Sequence, residues 1–357
     1  MAAGSFASLR ENVKYYQENN YAQLIRTIDL KNNFTNSDFV YVDEVAYDFL
    51  WRVQLKEPNI VLPNIGANIG EKYYVKPQDL PKNKNVLGPN AILLRSKCND
   101  THFVYFRLST SSYDNEMKKL VGASGQPKFN KTDLKKVSLF MPSLIEQKRI
   151  AYFLALLEER IATQNKIIED LKKLKSAISH ILFSSKGAIH LSEIANVVMG
   201  QSPSSNAYND QGLGMPLVQG NLDISNGKTT PRLYTAEFNQ TAEKGNIILT
   251  VRAPVGEVAK ATQKVCLGRG VCAIIPHEEN MSDFIYQYLT FYKFMWRRYE
   301  QGSTFTSING SDVRNIFCPK VRNVSILTLL DIKINIEERV VKQYQSQKQY
   351  MLYQMFI

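Results

Sequence analysis

The sequence lacks the features of a membrane or exported protein. None of its 357 residues belongs to a run that approaches the ~18–20 consecutive apolar residues of a membrane-spanning helix. Residues 1–6 also lack the charged segment followed by an apolar stretch that begins a signal peptide. We therefore expect a cytoplasmic protein with no membrane partner.

Cysteine and histidine are scarce and scattered. The four cysteines, Cys98, Cys266, Cys272 and Cys318, form no CxxC pair, and the four histidines form no HxxxH pair. Neither a zinc site nor a disulfide framework is predicted, because both need clustered ligands or paired thiols. Isolated thiols are typical of buried residues in a reducing compartment.

Catalytic signatures are also missing. Residues 227–229 resemble the end of a phosphate-binding loop, but Gly220 lies too far upstream for that motif. Pro-Pro occurs nowhere, which excludes the motif of an amino methyltransferase. Asp100, Glu116 and Lys118 imitate a nuclease metal site, but such a triplet is common by chance. Nothing resembles a nucleophile elbow or paired catalytic carboxylates. We predict no catalytic residue, no metal site and no cofactor.

The sequence does have an excess of basic residues. It contains 44 Lys and Arg residues against 33 Asp and Glu residues, a net charge of +11 that favours a polyanionic partner. The excess is +5 in residues 1–142, +2 in 143–183, +1 in 184–319 and +3 in 320–357. This spread excludes a basic disordered arm, and the length predicts two or three domains.

The chain repeats itself. Four segments of the first half match four segments of the second half in the same order, about 180 to 193 residues further along the chain. They are residues 24–27 with 217–220, 60–71 with 247–257, 87–88 with 267–268, and 103–108 with 284–289. A shared order at similar offsets indicates two similar units, since isolated coincidences would not share it.

Each half ends in a segment with the pattern of a long helix. Residues 143–183 contain no proline or glycine, and their apolar residues alternate three and four apart, as in a heptad seam. The pattern recurs 173 residues later, with polar Gln164 and Lys175 matched by Glu337 and Lys348. The predicted seam consists of Leu154, Leu157, Ile161, Ile168, Leu171, Lys175, Ile178, Leu327, Leu330, Ile334, Glu337, Val341, Tyr344 and Met351.

Two arrangements of these helices are open. Unrelated amphipathic helices would lie on separate cores. Alternatively, the helices pack as an antiparallel coiled coil about a pseudo-two-fold, which is the arrangement we expect. It would place Lys175 opposite Glu337 and Gln164 opposite Lys348, so that polar pairs fix the register of the seam.

Short β-rich runs separated by glycine, proline and asparagine dominate the remaining sequence. Residues 91–94, 247–251 and 271–275 are predicted strands, and residues 42–55 and 282–299 are predicted helices. The predicted fold class is α+β, with two similar globular α/β domains separated by two long helices. The predicted boundaries are residues 1–142, 143–185, 186–319 and 320–357.

Two polar loops of the second half suit contact with nucleic acid. Residues 200–205 offer hydroxyl and amide groups to phosphates or base edges, although a plain turn has the same composition. Residues 251–256 place Arg252 at a strand end, from which it can donate two hydrogen bonds to guanine. The matching residues 64–70 carry amides instead, which pair better with adenine.

Together these features resemble the specificity subunits of type I restriction-modification systems. The resemblance covers nearly the whole chain and is carried by residues 141–147, 200–208, 248–256 and 268–270. It implies a non-catalytic subunit in which each globular unit is a target-recognition domain for one half of a bipartite site on double-stranded DNA. The helices would set the half-site spacing and dock two methyltransferase subunits, through which the restriction motor-nuclease subunits join.

The resemblance also assigns DNA-binding residues. In the second unit they are Gln201, Ser202, Ser204, Ser205, Tyr208, Gln219, Asn221, Arg252, Arg269, Ser303 and Thr304. Their counterparts in the first unit are Arg26, Thr27, Asn64, Asn68, Gln126 and Lys128. The first half has no clear equivalent of the strand-like residues 191–198, so we expect its domain to be trimmed or closed differently.

Two other classes of function compete with this interpretation. A stand-alone nuclease or methyltransferase would need a metal-carboxylate cluster or a cofactor loop, and we find neither. A coiled-coil scaffold without DNA recognition fits the helices, but it leaves the basic balance and the hydroxyl-rich loops unexplained.

Overall fold

Two units make up the chain in a computed structural model, which describes residues 12–36, 38–66, 68–121, 128–184, 189–299, 307–320 and 323–356. Unit 1 comprises Met1–Thr163 and Val341–Ile357, and unit 2 comprises Gln164–Val340. Each unit combines a globular part with a segment of both long helices. Among the described residues, no helix has the length and apolar character to span a bilayer.

The secondary structure alternates short strands with a few helices. The described helices are α1 (Thr27–Lys31), α2 (Glu44–Phe49), α3 (Thr101–Leu108), α4 (Ser111–Val121), α5 (Lys131–Leu134), α6 (Leu144–Phe183), α7 (Leu191–Ile194), α8 (Ser282–Tyr292), α9 (Gly310–Arg314) and α10 (Ser325–Met355). The strands of unit 1 are β1 (Ala22–Ile25), β2 (Val40–Val42), β3 (Asn59–Pro63), β4 (Tyr73–Val75), β5 (Asn85–Leu87) and β6 (Ala91–Leu94). Those of unit 2 are β7 (Ile189–His190), β8 (Ala195–Met199), β9 (Tyr208–Asn209), β10 (Met215–Val218), β11 (Ile224–Ser225), β12 (Lys228–Thr229), β13 (Leu233–Thr235), β14 (Thr241–Ala242), β15 (Ile247–Thr250), β16 (Val258–Lys260), β17 (Val265–Leu267), β18 (Val271–Pro276) and β19 (Phe317–Cys318).

Unit 1 contains two three-stranded sheets and a helix that covers one of them. In the first sheet, β1 pairs antiparallel with β2 and parallel with β5. In the second, β3 lies between β4 and β6 and pairs antiparallel with both. Val104 and Leu108 of α3 pack on the second sheet, whereas Phe103 packs against Leu154 of α6. Helix α3 therefore joins the sheet to the long helix.

Unit 2 repeats these strand pairings. Strand β10 pairs antiparallel with β13 and parallel with β17, and β15 pairs antiparallel with β16 and β18. The residue after each parallel strand makes the same bond: Gly88 N lies 2.8 Å from Ile25 O, and Gly268 N lies 2.8 Å from Val218 O. The repeat in the sequence thus corresponds to a repeat in the fold.

The sheets of unit 2 contain more strands than those of unit 1. One sheet has the order β14-β17-β10-β13-β9, and the other has the order β11-β12-β16-β15-β18-β8, in which β8 pairs with β18 at one edge. In the described part of unit 1, β6 has β3 as its one sheet neighbour. This agrees with the missing first-half counterpart of residues 191–198.

Two predicted helices are shorter than expected. In the segment 42–55, α2 ends at Phe49 and a 3-10 turn follows. In the segment 282–299, α8 ends at Tyr292 and continues as a 3-10 helix. The second change accompanies the burial of Trp296, whose ring lies where a side chain on Gly256 would be.

The long helices α6 and α10 contain 40 and 31 residues. Every predicted seam residue on them is buried or half-buried. In unit 1, Glu158 meets Lys348 and Arg160 meets Tyr344, so these helical segments run antiparallel. In unit 2, Lys175 near the end of α6 meets Asp331 near the start of α10, which is also antiparallel.

The predicted partners of the polar seam residues are wrong. Lys175 Nζ donates to Asp331 Oδ1 at 2.6 Å, not to Glu337, and Gln164 donates to Glu337. Lys348 Nζ donates to Glu158 Oε1 at 2.6 Å. The prediction paired residues on the seam alone, whereas Glu158 and Asp331 each follow a seam leucine and flank it. We call Lys348–Glu158 of unit 1 and Lys175–Asp331 of unit 2 the register pairs; they occupy equivalent positions 173 residues apart.

A double-mutant cycle tests the register in unit 2. Lys175→Met and Asp331→Asn are expected to show a coupling energy of about 1 kcal/mol. The coupling energy of a half-buried ion pair should lie between that of an exposed pair and that of a fully buried pair. The coupling is read from the free energies of unfolding in urea. The control cycle of Lys175→Met with Glu337→Gln is expected to show no coupling. A larger coupling in the control would restore the register predicted from the seam.

Candidate nucleic-acid interface

The polar loops of unit 2 meet around one open pocket of about 530 Å³. These loops follow strands β8, β10, β15 and β17. Seven of the predicted DNA-binding residues line the pocket, namely Ser202, Ser205, Tyr208, Gln219, Asn221, Arg252 and Arg269. Gln201 and Ser204 are exposed in the same loop but do not line it. Ser303 and Thr304 lie outside the described residues.

Glycines allow these loops to approach one another closely. A Cβ on Gly200 would lie 2.1 Å from the Gly268 carbonyl oxygen, and one on Gly270 would lie 2.1 Å from the Gln219 carbonyl oxygen. Neither position has room for a side chain. The close approach lets the Arg269 amide donate to Ser202 Oγ at 3.1 Å. It therefore fixes the loop 200–205 against the arginine-bearing turn.

The loop that carries Arg252 is held by the last residue of β15. Thr250 Oγ1 donates to the Pro254 carbonyl oxygen at 2.8 Å and accepts from the Glu257 amide at 2.9 Å. The Arg252 backbone pairs with Ser307, while the residue itself is exposed. The strand end thus presents Arg252 to solvent, as the sequence predicts.

The pocket is positively charged although its segment of the chain is nearly neutral. Arg232, Arg252 and Arg269 line it together with one acidic residue, Asp223. The Asp223 side chain is 4% exposed and forms an ion pair with Arg232. Within the described residues, neither Arg252 nor Arg269 has a carboxylate partner. The pocket is therefore positively charged because three arginines lie together there, although the segment as a whole carries little net charge.

In unit 1, Arg26 is largely occupied by carboxylates. Its Nε and Nη2 donate to Asp29 at 3.1 and 2.7 Å, and its Nη1 donates to Asp38 at 3.2 Å. Burial raises the pKa of Asp29, but hydrogen bonds from Arg26 and Asn36 outweigh this effect and hold the pKa below its usual range. Most of the Arg26 donors are thus engaged within unit 1.

Two other predicted residues of unit 1, Asn64 and Asn68, also form side-chain hydrogen bonds within the unit. Asn64 Nδ2 donates to the Phe129 carbonyl oxygen at 3.1 Å, and Asn68 Oδ1 accepts from Lys31 Nζ at 2.9 Å. Thr27 begins α1. Lys128 is exposed and its backbone pairs with Ile65. Gln126 lies outside the described residues.

A protein-family model matches most of the length of the chain. The model for the type I restriction modification DNA specificity domain matches residues 9–173 and 187–343. The chain belongs to this specificity family. The two matched stretches of the specificity subunit coincide with the two halves of its internal repeat.

Known proteins resemble this specificity subunit in sequence and in fold. One relative is a protein of Methanocaldococcus jannaschii that is provisionally named the MjaX specificity subunit of a type I restriction enzyme. It is 30% identical to this chain over 308 residues, which is 78% of this chain and 71% of the relative. The S subunit of the type I restriction-modification system from M. genitalium shares 21% identity, with a TM-score of 0.59 over 84% of this chain and 83% of the other. A chain from a structure on complex assembly and conformational transition of the type I R-M system shares 19% identity, with a TM-score of 0.58 over 97% and 92%. The structural likenesses show a common fold.

Sequence reasoning missed Arg232 and Asp223. They lie nine residues apart in a loop-rich segment with no periodic pattern. One signal was present: an acidic residue follows the first matched strand of each unit, Asp29 after β1 and Asp223 after β10. In both units this carboxylate accepts from the backbone amide directly after the strand, at 2.8 Å.

A glycine substitution tests the close approach of the loops. Gly200→Ala is expected to lower the free energy of unfolding by about 1–3 kcal/mol, because its Cβ has no space. The control is Gly220→Ala, which has extended backbone and no atom within 4 Å of the new Cβ. Urea unfolding that finds equal stability in both variants would contradict the packing described here.

Proposed function

We propose that this specificity subunit reads a bipartite site on double-stranded DNA, with the pocket of unit 2 contacting one half-site and the loops of unit 1 contacting the other. The observation that carries the proposal is the pocket itself, where three arginines lie among hydroxyl and amide side chains. Arginine pairs with guanine through two hydrogen bonds, and hydroxyl groups bind phosphates. The family description, a DNA specificity domain, supports the same function.

The two half-sites are expected to differ in sequence. Unit 2 offers exposed arginines at its pocket, whereas the predicted residues of unit 1 are mainly amides and an arginine held by Asp29. Guanine suits the first set and adenine suits the second. One fold used twice would thereby recognise two different sequences.

The subunit supplies recognition to a larger complex and performs no chemistry of its own. In this proposal the long helices set the spacing between the half-sites and dock two methyltransferase subunits. The restriction motor-nuclease subunits join through these. The antiparallel register of α6 and α10 within each unit supports a spacer role, since fixed ion pairs define one register.

Binding to a randomised duplex library tests the proposal. The full chain is incubated with the library at several salt concentrations, and the bound DNA is sequenced. We expect two short motifs at a fixed separation, with affinity that falls as salt rises. Binding without sequence preference, or no binding, would instead favour a scaffold without DNA recognition.

Arg252→Ala is expected to relax base preference at one position of one half-site. The reason is the loss of a side chain that is exposed at a strand end and able to donate two hydrogen bonds to a base. The same library measurement provides the readout. An equal loss of affinity for all sequences, with a shallower salt dependence, would make Arg252 a phosphate contact instead.

A further inference from the structure

Arg232 enters the pocket of unit 2 with one edge of its side chain held in place. Its Nε donates to Asp223 Oδ1 at 3.0 Å. The Arg232 side chain is 55% exposed, whereas that of Asp223 is 4% exposed. The contact therefore joins a buried carboxylate to a guanidinium that faces the open pocket.

Asp223 is itself fixed by the surrounding backbone. Its Oδ2 accepts from the Gln219 amide at 2.8 Å, so both carboxylate oxygens have a donor. Its own amide donates to the Gly220 carbonyl oxygen, and its carbonyl oxygen accepts from the Thr230 amide at 2.8 Å. A carboxylate held in this way restricts the orientation of the Arg232 guanidinium.

The outer nitrogens of Arg232 remain available to a ligand. No described residue forms a hydrogen bond or ion pair with Nη1 or Nη2. Arg252 and Arg269 line the same pocket. A planar fork of donors, already oriented by a carboxylate on its Nε, loses less conformational entropy on binding than a free arginine. Guanine offers the matching pair of acceptors, O6 and N7, in the major groove.

Unit 1 contains a similar contact between an arginine and a carboxylate, but there the outer nitrogens of the arginine are bonded. The Arg26 amide donates to Asp29 as the Gln219 amide donates to Asp223. However, Nη1 and Nη2 of Arg26 are both bonded, to the Asp38 side chain and to Asp29 and the Asp38 carbonyl oxygen. Both outer nitrogens of Arg26 are thus bonded within unit 1, whereas no described residue bonds those of Arg232.

We propose that Arg232 recognises one guanine of the half-site contacted by unit 2, and that Asp223 is the positioning residue that orients it. This inference rests on the proposed function, because it requires that the pocket faces DNA. It adds a specificity-determining residue that the sequence did not reveal.

Two substitutions of Arg232 test the inference, and one of them, Arg232→Lys, keeps a positive charge beside the buried Asp223. The full-length wild type, Arg232→Ala and Arg232→Lys are compared in binding to the randomised duplex library. We expect both variants to lose about tenfold or more of the preference for guanine at one position, while preferences at other positions stay unchanged. Arg232→Lys keeps the charge, so its salt dependence is expected to match that of the wild type.

Other outcomes overturn the inference. If Arg232→Lys keeps the full base preference and Arg232→Ala weakens all sequences equally, Arg232 is a phosphate contact. If neither variant changes binding, the ion pair with Asp223 is structural only. If the wild type itself shows no preference at any position, the proposed function fails as well, which separates the two failures.

Asp223→Asn provides the readout for positioning. We expect a loss of guanine preference at the same position as in Arg232→Ala, with no additional loss when both substitutions are combined. A combined effect equal to the sum of the two would show that Asp223 does not act through Arg232.

Discussion

Half-buried ion pairs between α6 and α10 determine how the parts of each unit fit together. The carboxylate of each register pair also contacts the globular part of its unit. Asp331 accepts from Gln287 of α8 at 2.7 Å, and Glu158 lies 3.5 Å from the hydroxyl of Tyr105 on α3. One carboxylate thus fixes both the register of the helices and the position of the sheet-covering helix. Burial raises the pKa of Glu158, but hydrogen bonds and charge interactions with His102 and Lys348 lower it by more. The pKa of Glu158 therefore lies below its usual range, and the side chain stays charged.

A second carboxylate contact also occurs in both units, but its surroundings differ at the candidate nucleic-acid interface. In both units, a carboxylate accepts a hydrogen bond from the backbone amide that follows the first parallel strand. In both units, the same carboxylate also accepts a hydrogen bond from an arginine side chain. In unit 1 the arginine is enclosed by a second acid, Asp38. In unit 2 it opens into a pocket with two more arginines. A constant scaffold with variable loops is consistent with the proposed recognition of two different half-sites.

Much of this arrangement could be predicted from the sequence. Heptad spacing predicted both long helices, and every residue of the predicted seam is buried or half-buried. The matched segments placed Ile25 and Val218 at equivalent positions of the two halves, and both residues end strands that pair in parallel, with β5 and β17 respectively. These features depend on local periodicity, which a sequence records directly.

The remaining features depend on contacts that no local pattern encodes. Lys175 reaches a carboxylate beside the seam, so reasoning from seam positions chose Glu337 instead of Asp331. Whether an arginine is free or engaged depends on loops that fold back on it. Arg26 stays a predicted DNA contact, and the heptad and strand patterns do not show that Asp38, twelve residues further along the chain, accepts from its Nη1.

Methylation in the host genome most directly tests the proposal that the chain specifies a bipartite DNA target. Methylated positions are mapped by sequencing with and without the gene for this chain. We predict one bipartite motif with a fixed spacer, which disappears when the gene is deleted. A methylation pattern that is unchanged by the deletion, or a lost motif that is short and continuous, would contradict it.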